Sequence, residues 1–231
     1  MSGEVPGGAL VALETSSRRA TVAARFGGRE LAAELESERA HASDLLPELD
    51  RLLRELGAKP AEIGGVLVGT GPGSYTGLRV GIATALGIAR GSGARLRGVP
   101  SFETLCWAEL RPGEEGSVLL DARAGEIYFA RYRRTAEDVL AVREPCVLRP
   151  DEVESALAAE GPLFGDAFAS GAAALPPGAA KRLRPDAAPR AESLLELGAA
   201  RLARFGAQEP KGVQPLYLRP FAVRNRRREV S

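Results

Sequence analysis

The chain has 231 residues, enough for one large domain or two small ones, and long enough to fold without a disulfide or a structural metal. Thirty-one Lys and Arg against 30 Asp and Glu leave a net charge of +1, which argues against a globally basic nucleic-acid binder. One histidine (His41) and two distant cysteines (Cys106, Cys146) exclude a motif-spaced zinc site, and no apolar run reaches the ~18 residues of a membrane span.

In chain order, residues 9–13 are a continuous apolar run closed by Glu14-Thr15-Ser16-Ser17-Arg18-Arg19. Ala20 to Phe26 then resumes a strand pattern up to Gly27-Gly28. This is strand, polar turn, strand, with the first strand buried on both sides. The same grammar returns about a hundred residues later: Val118-Leu119-Leu120, a turn from Asp121 to Glu126, then Ile127 to Tyr132. In both, an acid ends the apolar strand at the mouth of the turn.

Between them, Leu45, Leu46, Leu49, Leu52, Leu53 and Leu56 fall on one helical face, with Ser43 or Asp44 as N-cap, Pro47 in the first turn and Gly57 with Pro60 at the end. A short strand, Val66-Leu67-Val68, leads into the loop Gly71-Pro72-Gly73-Ser74 and a second helix over 75–90. Gly77, Gly81, Ala85 and Ala89 form a smooth stripe on that helix beside bulky Leu78, Ile82 and Leu86. A helix apolar nearly all round is buried on more than one side. One side can pack on its own sheet, and the other asks for a second helix, from this chain or a partner. Beyond it, Leu96 to Val99 reads as strand, and Ser101 caps a helix through Leu110. Val139 to Leu148 is a strand, Asp151 to Ala159 a helix and Leu163-Phe164 a short strand. Residues 171–190 form an irregular excursion, and a last helix carries Leu194, Leu195, Leu197, Leu202 and Phe205. The division expected is a first lobe over 1–100, a smaller second lobe over 101–220 and a basic tail over 221–231, with six basic residues against one acid from Lys211 onward.

The glycine loop invites a phosphate reading, because helix N-termini attract anions. It carries no lysine for a P-loop, and Ser74 and Thr76 stand where a dinucleotide fingerprint needs glycine. Pro72 and Thr76 break a nucleophile elbow at Ser74. A structural strand-to-helix turn is the simpler account. Glu14 and Asp121 can hold a hydrated magnesium beneath nucleotide phosphates, or each can cap its own turn by accepting backbone N–H bonds; both accounts stay open. Glu14, Thr15, Ser16, Gly73 and Ser74 are the candidate nucleotide or anion residues. His41, which any Ser-His-Asp or Cys-His set would have to use, is better placed to cap a helix or meet a partner. Arg224, Arg226, Arg227 and Arg228 are either a solvated end or a salt-sensitive tRNA contact. No catalytic residue and no metal site are assigned.

Five ordered blocks carry a resemblance: Ala12-Leu13-Glu14-Thr15-Ser16; His41-Ala42-Ser43-Asp44-Leu45-Leu46-Pro47; Gly71 through Gly81; Asp121-Ala122-Arg123-x-Gly125-Glu126-x-Tyr128; and Pro215-Leu216-Tyr217-Leu218-Arg219. Together they resemble the TsaB family, the bacterial dimerisation subunit in tRNA threonylcarbamoyladenosine synthesis. The resemblance implies an α/β, two-lobed actin/Hsp70/sugar-kinase-like (ribonuclease H-like) fold with a reduced second lobe. It implies a non-catalytic partner of a TsaD-type catalytic subunit. With a TsaE-type ATPase subunit, that pair modifies N6 of adenosine 37 in tRNAs reading codons that begin with A. ATP or ADP and metal are then expected on the partner subunits or at the interface, none held tightly by this chain, and tRNA is met through the complex. The catalytic relative carries a His-x-x-x-His metal site, and the matching stretch here, Ser101 to Glu109, has no histidine.

On this account the helices 44–56 and 75–90 pair with those of the partner, through Leu45, Leu49, Leu52, Gly77, Leu78, Gly81, Ile82 and Ala85. The isolated chain can use the same patch to form a homodimer. The alternative enzyme class is a stand-alone ATP-dependent phosphotransferase of the same fold, and a third class is a stand-alone RNA-binding module. A peptidase has little support with a single histidine. The expected location is the cytoplasm, since Met1–Gly8 lacks the basic and apolar regions of a signal peptide.

Overall fold

In a computed structural model, which describes residues 8–35, 42–157, 160–168, 171, 174 and 176–218, the first apolar run is strand β1 (Ala9–Glu14). His41 and Arg224, Arg226, Arg227 and Arg228 lie outside the described residues. All six residues of β1 are buried because both faces are covered. Ala9, Val11 and Leu13 join one core, and Leu10 and Ala12 the other, as the two-residue strand period requires. β1 pairs antiparallel with β2 (Thr21–Phe26), which pairs with β3 (Arg29–Glu34). On its other side it runs parallel to β4 (Ile63–Gly69), followed by β5 (Arg95–Val99), giving the order β3-β2-β1-β4-β5.

Two helices cover one face. In α1 (Ala42–Leu56), Leu45, Leu49, Leu52, Leu53 and Leu56 are buried, as the leucine spacing requires, and Leu46 is 49% exposed. The helix begins earlier than the expected cap. Asp44 therefore sits in the first turn, and Pro47 lies inside the helix. α2 (Tyr75–Ser92) packs on the same face and is capped by Ser74, whose Oγ accepts from Gly77 N–H at 3.2 Å.

The opposite face carries α3 (Ser101–Glu109) and α5 (Ala191–Phe205). Beyond them lies a second sheet, β10-β9-β6-β7-β8, built from β6 (Glu115–Arg123), β7 (Glu126–Arg134), β8 (Val139–Leu148), β9 (Leu163–Phe164) and β10 (Leu183–Arg184). One core therefore joins Leu10, Ala12 and Leu67 of the first sheet, Phe102 and Leu105 of α3, Leu194 and Leu197 of α5, and Val118 and Tyr132 of the second sheet. A smaller core under the far side of the second sheet includes α4 (Val153–Ala156). The layers run α1/α2, sheet, α3/α5, sheet, α4.

Three expectations change. The chain after residue 100 does not stay in the second lobe: Ala191 N–H donates to Thr21 Oγ1 at 2.8 Å, and α5 packs across β1, β2, β4 and β5. The helix expected over 151–159 shrinks to a 3-10 turn, Pro150–Glu152, and the four residues of α4. A strand, β3, follows Gly27-Gly28 where none was assigned. Among the described residues no helix is long and apolar enough to cross a membrane.

Candidate functional site

The end of β1 delivers Glu14 into the interior. Its Oε1 accepts from Ser16 N–H (2.9 Å) and from Ser101 Oγ (3.2 Å), while Ser101 Oγ accepts from Gly71 N–H (3.0 Å). Ser101 N–H donates to Gly71 O at 2.8 Å, so one serine ties β1, the glycine loop and the start of α3 together. Ser101 thus serves this junction in place of capping α3, whose N-cap is Pro100. Glu14 Oε2 has no hydrogen-bond partner and faces Gly69, where a β-carbon would stand 2.1 Å away. Burial holds the Glu14 carboxyl above its ordinary pKa range, against the opposing pull of the bonds from Ser16 and Ser101.

The adjoining turn and loop are stitched to each other. Thr15 Oγ1 donates to Gly77 O (2.8 Å), and Ser74 N–H donates to Ser16 O (2.7 Å). Gly73 lies against Ser16, where a β-carbon would meet the carbonyl at 2.3 Å. Of the five candidate anion residues, Glu14, Thr15 and Ser16 are buried in this lattice. Gly73 is half-buried and Ser74 exposed at its mouth. At Glu14 the turn-capping bond is present, since Oε1 accepts from Ser16 N–H, while the second carboxylate oxygen is buried and unpartnered. Asp121 belongs to the other sheet and lies within β6, three residues before the turn at Ala124 and Gly125. Its N–H donates to Asp166 Oδ1 at 3.0 Å. Glu14 and Asp121 therefore sit on strands of different sheets. Among the described residues no three His, Cys, Asp or Glu side chains cluster as a metal site would require.

The interface residues assigned from the stripe require correction. Leu45, Leu49, Leu52, Gly77, Leu78, Gly81, Ile82 and Ala85 are all buried within the chain's own fold. The small residues face the turn after β1: a β-carbon on Gly81 would meet Thr15 Oγ1 at 2.2 Å, and one on Gly77 would meet Thr15 O at 2.1 Å. What these two helices show outward is the next strip round. Leu46, Val80, Ala83, Thr84, Gly87 and Ile88, with Arg79, line an open cleft of about 660 Å³. It adjoins a second cleft of about 410 Å³, which shares Leu46 and Ile88 and in which Leu49, Leu53, Pro60 and Ile63 are also lining residues. Leu49 alone of the eight takes part in this surface. The side chains that do line it are almost all apolar.

A segment missed as a functional element completes the region. After α5 the chain returns along β5: Gln208 N–H donates to Leu96 O (2.8 Å), and Gly98 N–H to Gln208 Oε1 (2.7 Å). Leu216 N–H then donates to Thr70 O (2.8 Å), and the Tyr217 ring stacks 5.4 Å from that of Tyr75 at the start of α2. The Pro215-Leu216-Tyr217 block was the only sequence signal for this strap.

Known proteins match this arrangement. The profile of the family described as "TsaD: tRNA N6-adenosine threonylcarbamoyltransferase" matches residues 14–198. The Escherichia coli (strain K12) protein named tRNA threonylcarbamoyladenosine biosynthesis protein TsaB is 32% identical over 147 residues, covering 62% of this chain and 64% of the relative. Its Haemophilus influenzae namesake is 32% identical over 127 residues, covering 54% of each. The chain thus spans just under two thirds of the first of these relatives and about half of the second. The solved structure of YeaZ from Pseudomonas aeruginosa superposes with a TM-score of 0.79 at 29% identity, covering 91% of this chain and all of that one.

Proposed function

The chain belongs to the TsaD family of tRNA N6-adenosine threonylcarbamoyltransferase proteins and stands among its TsaB members, and from that premise we propose that it is the non-catalytic, dimerising subunit of a cytoplasmic tRNA threonylcarbamoyladenosine synthesis complex. The observation that carries this reading is the apolar cleft on the outer face of α1 and α2. Two helices that expose such a strip on a two-layer face match the requirement of a helix-on-helix interface. The occupant is the corresponding helix pair of a TsaD-type catalytic subunit, the family whose model matches residues 14–198 of this chain. Nucleotide and metal reside on that subunit or at the junction, and a TsaE-type ATPase subunit completes the set. The junction at Glu14 supports the non-catalytic role, because the turn that would receive phosphates in a phosphotransferase of this fold is occupied by hydrogen bonds to its own glycine loop.

The test is nucleoside mass spectrometry of tRNA from cells depleted of this chain. Threonylcarbamoyladenosine is expected to disappear and to return with the wild-type gene. An unchanged level under confirmed depletion would overturn the assignment and turn attention to ATP turnover by the isolated chain.

A further inference from the structure

We propose that the outer edge of β8, over residues 139–143, receives an extended acidic segment of another protein as an added strand. The site lies on the second sheet, away from the cleft on α1 and α2, and does not depend on the role put forward above.

The other sheet edges are closed, short or already paired through their side chains. β5 is closed by the strap, where Gln208 N–H donates to Leu96 O and Gly98 N–H to Gln208 Oε1. β10 has two residues. On β3, Glu30 is taken by Arg25, and Glu34 by Arg19 and Arg190. β8 is ten residues long and ends the order β10-β9-β6-β7-β8. Residues 140–144 are exposed one after another, so neither face of the strand is covered there, and Leu140 is 53% exposed and Val142 39%. Pro145, with a shift of register between Phe129 and Arg131, blunts the Cys146 end of the edge in the usual protective way. The Val139 end has neither proline nor charge before Arg143, and a second shift makes the register pass over Val142.

The charge beside this edge selects the occupant. Pairing sets Ser117, Arg131 and Arg143 in one row across β6, β7 and β8, and Glu115, Arg133 and Leu140 in the next. The two rows hold three guanidiniums and one carboxylate. Glu115 pairs with Arg133 and comes within 3.7 Å of Arg131. Arg143 enters no ion pair among the described residues; its guanidinium carbon lies 5.1 Å from the centre of the Phe129 ring. The neighbouring acid on β8, Glu144, exerts its charge on Glu103 and Tyr132, on the α3 side of the sheet. Arg131 and Arg143 therefore face each other across strands, an arrangement that costs stability and that an acid on the far side of Arg143 relieves. A second copy paired through β8 about a two-fold axis normal to the sheet would lay its own arginine rows on the same face, beside these. A strand with glutamate or aspartate at alternate positions meets Arg143 with the opposite charge, while its backbone bonds the edge.

The experiment titrates the full chain into fluorescein-labelled peptides of about eight residues. One alternates threonine with glutamate, one threonine with lysine, and a third is the glutamate peptide methylated on alternate backbone nitrogens. The glutamate peptide is expected to bind about tenfold or more tighter than either of the others, because like charges repel at such a contact and a methylated nitrogen cannot donate to an edge. Hydrogen exchange followed by NMR should show alternate amides among residues 139–143 gaining protection as the peptide binds, a readout that needs no variant. Arg143→Glu should reverse the preference between the two charged peptides, and Arg143→Lys should stay within a few-fold of wild type. Absence of binding, equal affinity for the two charged peptides, undiminished binding of the methylated one or unchanged exchange would each overturn the proposal. So would protection of the same amides in the chain alone as its concentration rises, since the edge would then belong to a second copy.

Discussion

The inner and outer faces of α2 are both lined with small residues, for different reasons. Inside, Gly77 and Gly81 lie against Thr15 so closely that no side chain fits. Outside, Gly87 has open space where its β-carbon would be, and Ala83 is exposed. The inner glycines are demanded by the fold of this chain. The outer ones are not, and their smallness leaves the open face that the proposed helix-on-helix interface requires. Small residues at helical spacing therefore identify close approach without identifying which neighbour approaches.

The strongest way to break this comparison is a matched pair. Gly81→Leu should destabilise the isolated chain by about 3 kcal/mol, the upper part of the usual overpacking range, because Thr15 cannot withdraw without losing its bond to Gly77 O. Gly87→Ala should instead be neutral or stabilise by up to about 1 kcal/mol through helix propensity. Urea denaturation of both variants decides it, and equal losses would refute the inner/outer distinction.

The outer face is sharpened by Ala83→Arg. The isolated chain should keep its denaturation midpoint, while the heterodimer weakens by about 2 kcal/mol, some thirtyfold, as a buried charge at the centre of an interface would impose. Sedimentation or calorimetric titration against the catalytic subunit reads it. Any homodimer of the isolated chain should be lost in parallel if it uses the same cleft.

The subtlest handle lies on the inner side, at the turn that holds Thr15 in place. Folded Glu14 keeps its proton to a higher pH than its ordinary value of 4.5. The stability it contributes is therefore complete below about pH 4.5 and is lost as pH rises through the raised value. Glu14→Gln removes that titration, so its stability relative to wild type should rise from pH 4.5 to pH 8. A difference that stays flat with pH would show that folding does not raise the Glu14 pKa.

Much of this architecture was legible in the sequence, and the gaps have physical causes. The leucine spacing of α1 defines its buried stripe because charged residues occupy the other side: Arg51 with Glu48 and Glu55, Arg54 with Asp50. In α2 only Arg79 and Arg90, three turns apart, mark the outer side, and the apolar and small residues between them leave the sheet-facing side hard to tell from periodicity. That is why the stripe assigned to a partner turned out to be the side buried in this chain's own fold. β3, Arg-Glu-Leu-Ala-Ala-Glu, lacks β-branched and aromatic residues and forms because β2 offers it a paired edge, a tertiary cause. The five residues around the β1 turn were found by their motif, but not what they do. The missing member was Ser101, 87 residues from Glu14 and readable in sequence only as a helix start.

The position of α5 sets the order in which a nascent chain can mature. Until residues 191–205 leave the ribosome, Leu10, Ala12 and Leu67 lack α5, and that face of the first sheet, although fully synthesised, has only α3 to share its core. The amino-terminal half must therefore wait, half-dressed, for nearly the last helix. A chain cut before Ala191 should collect in inclusion bodies, and a pause in translation upstream of that codon should make this protein a client of chaperones that shield exposed sheet faces.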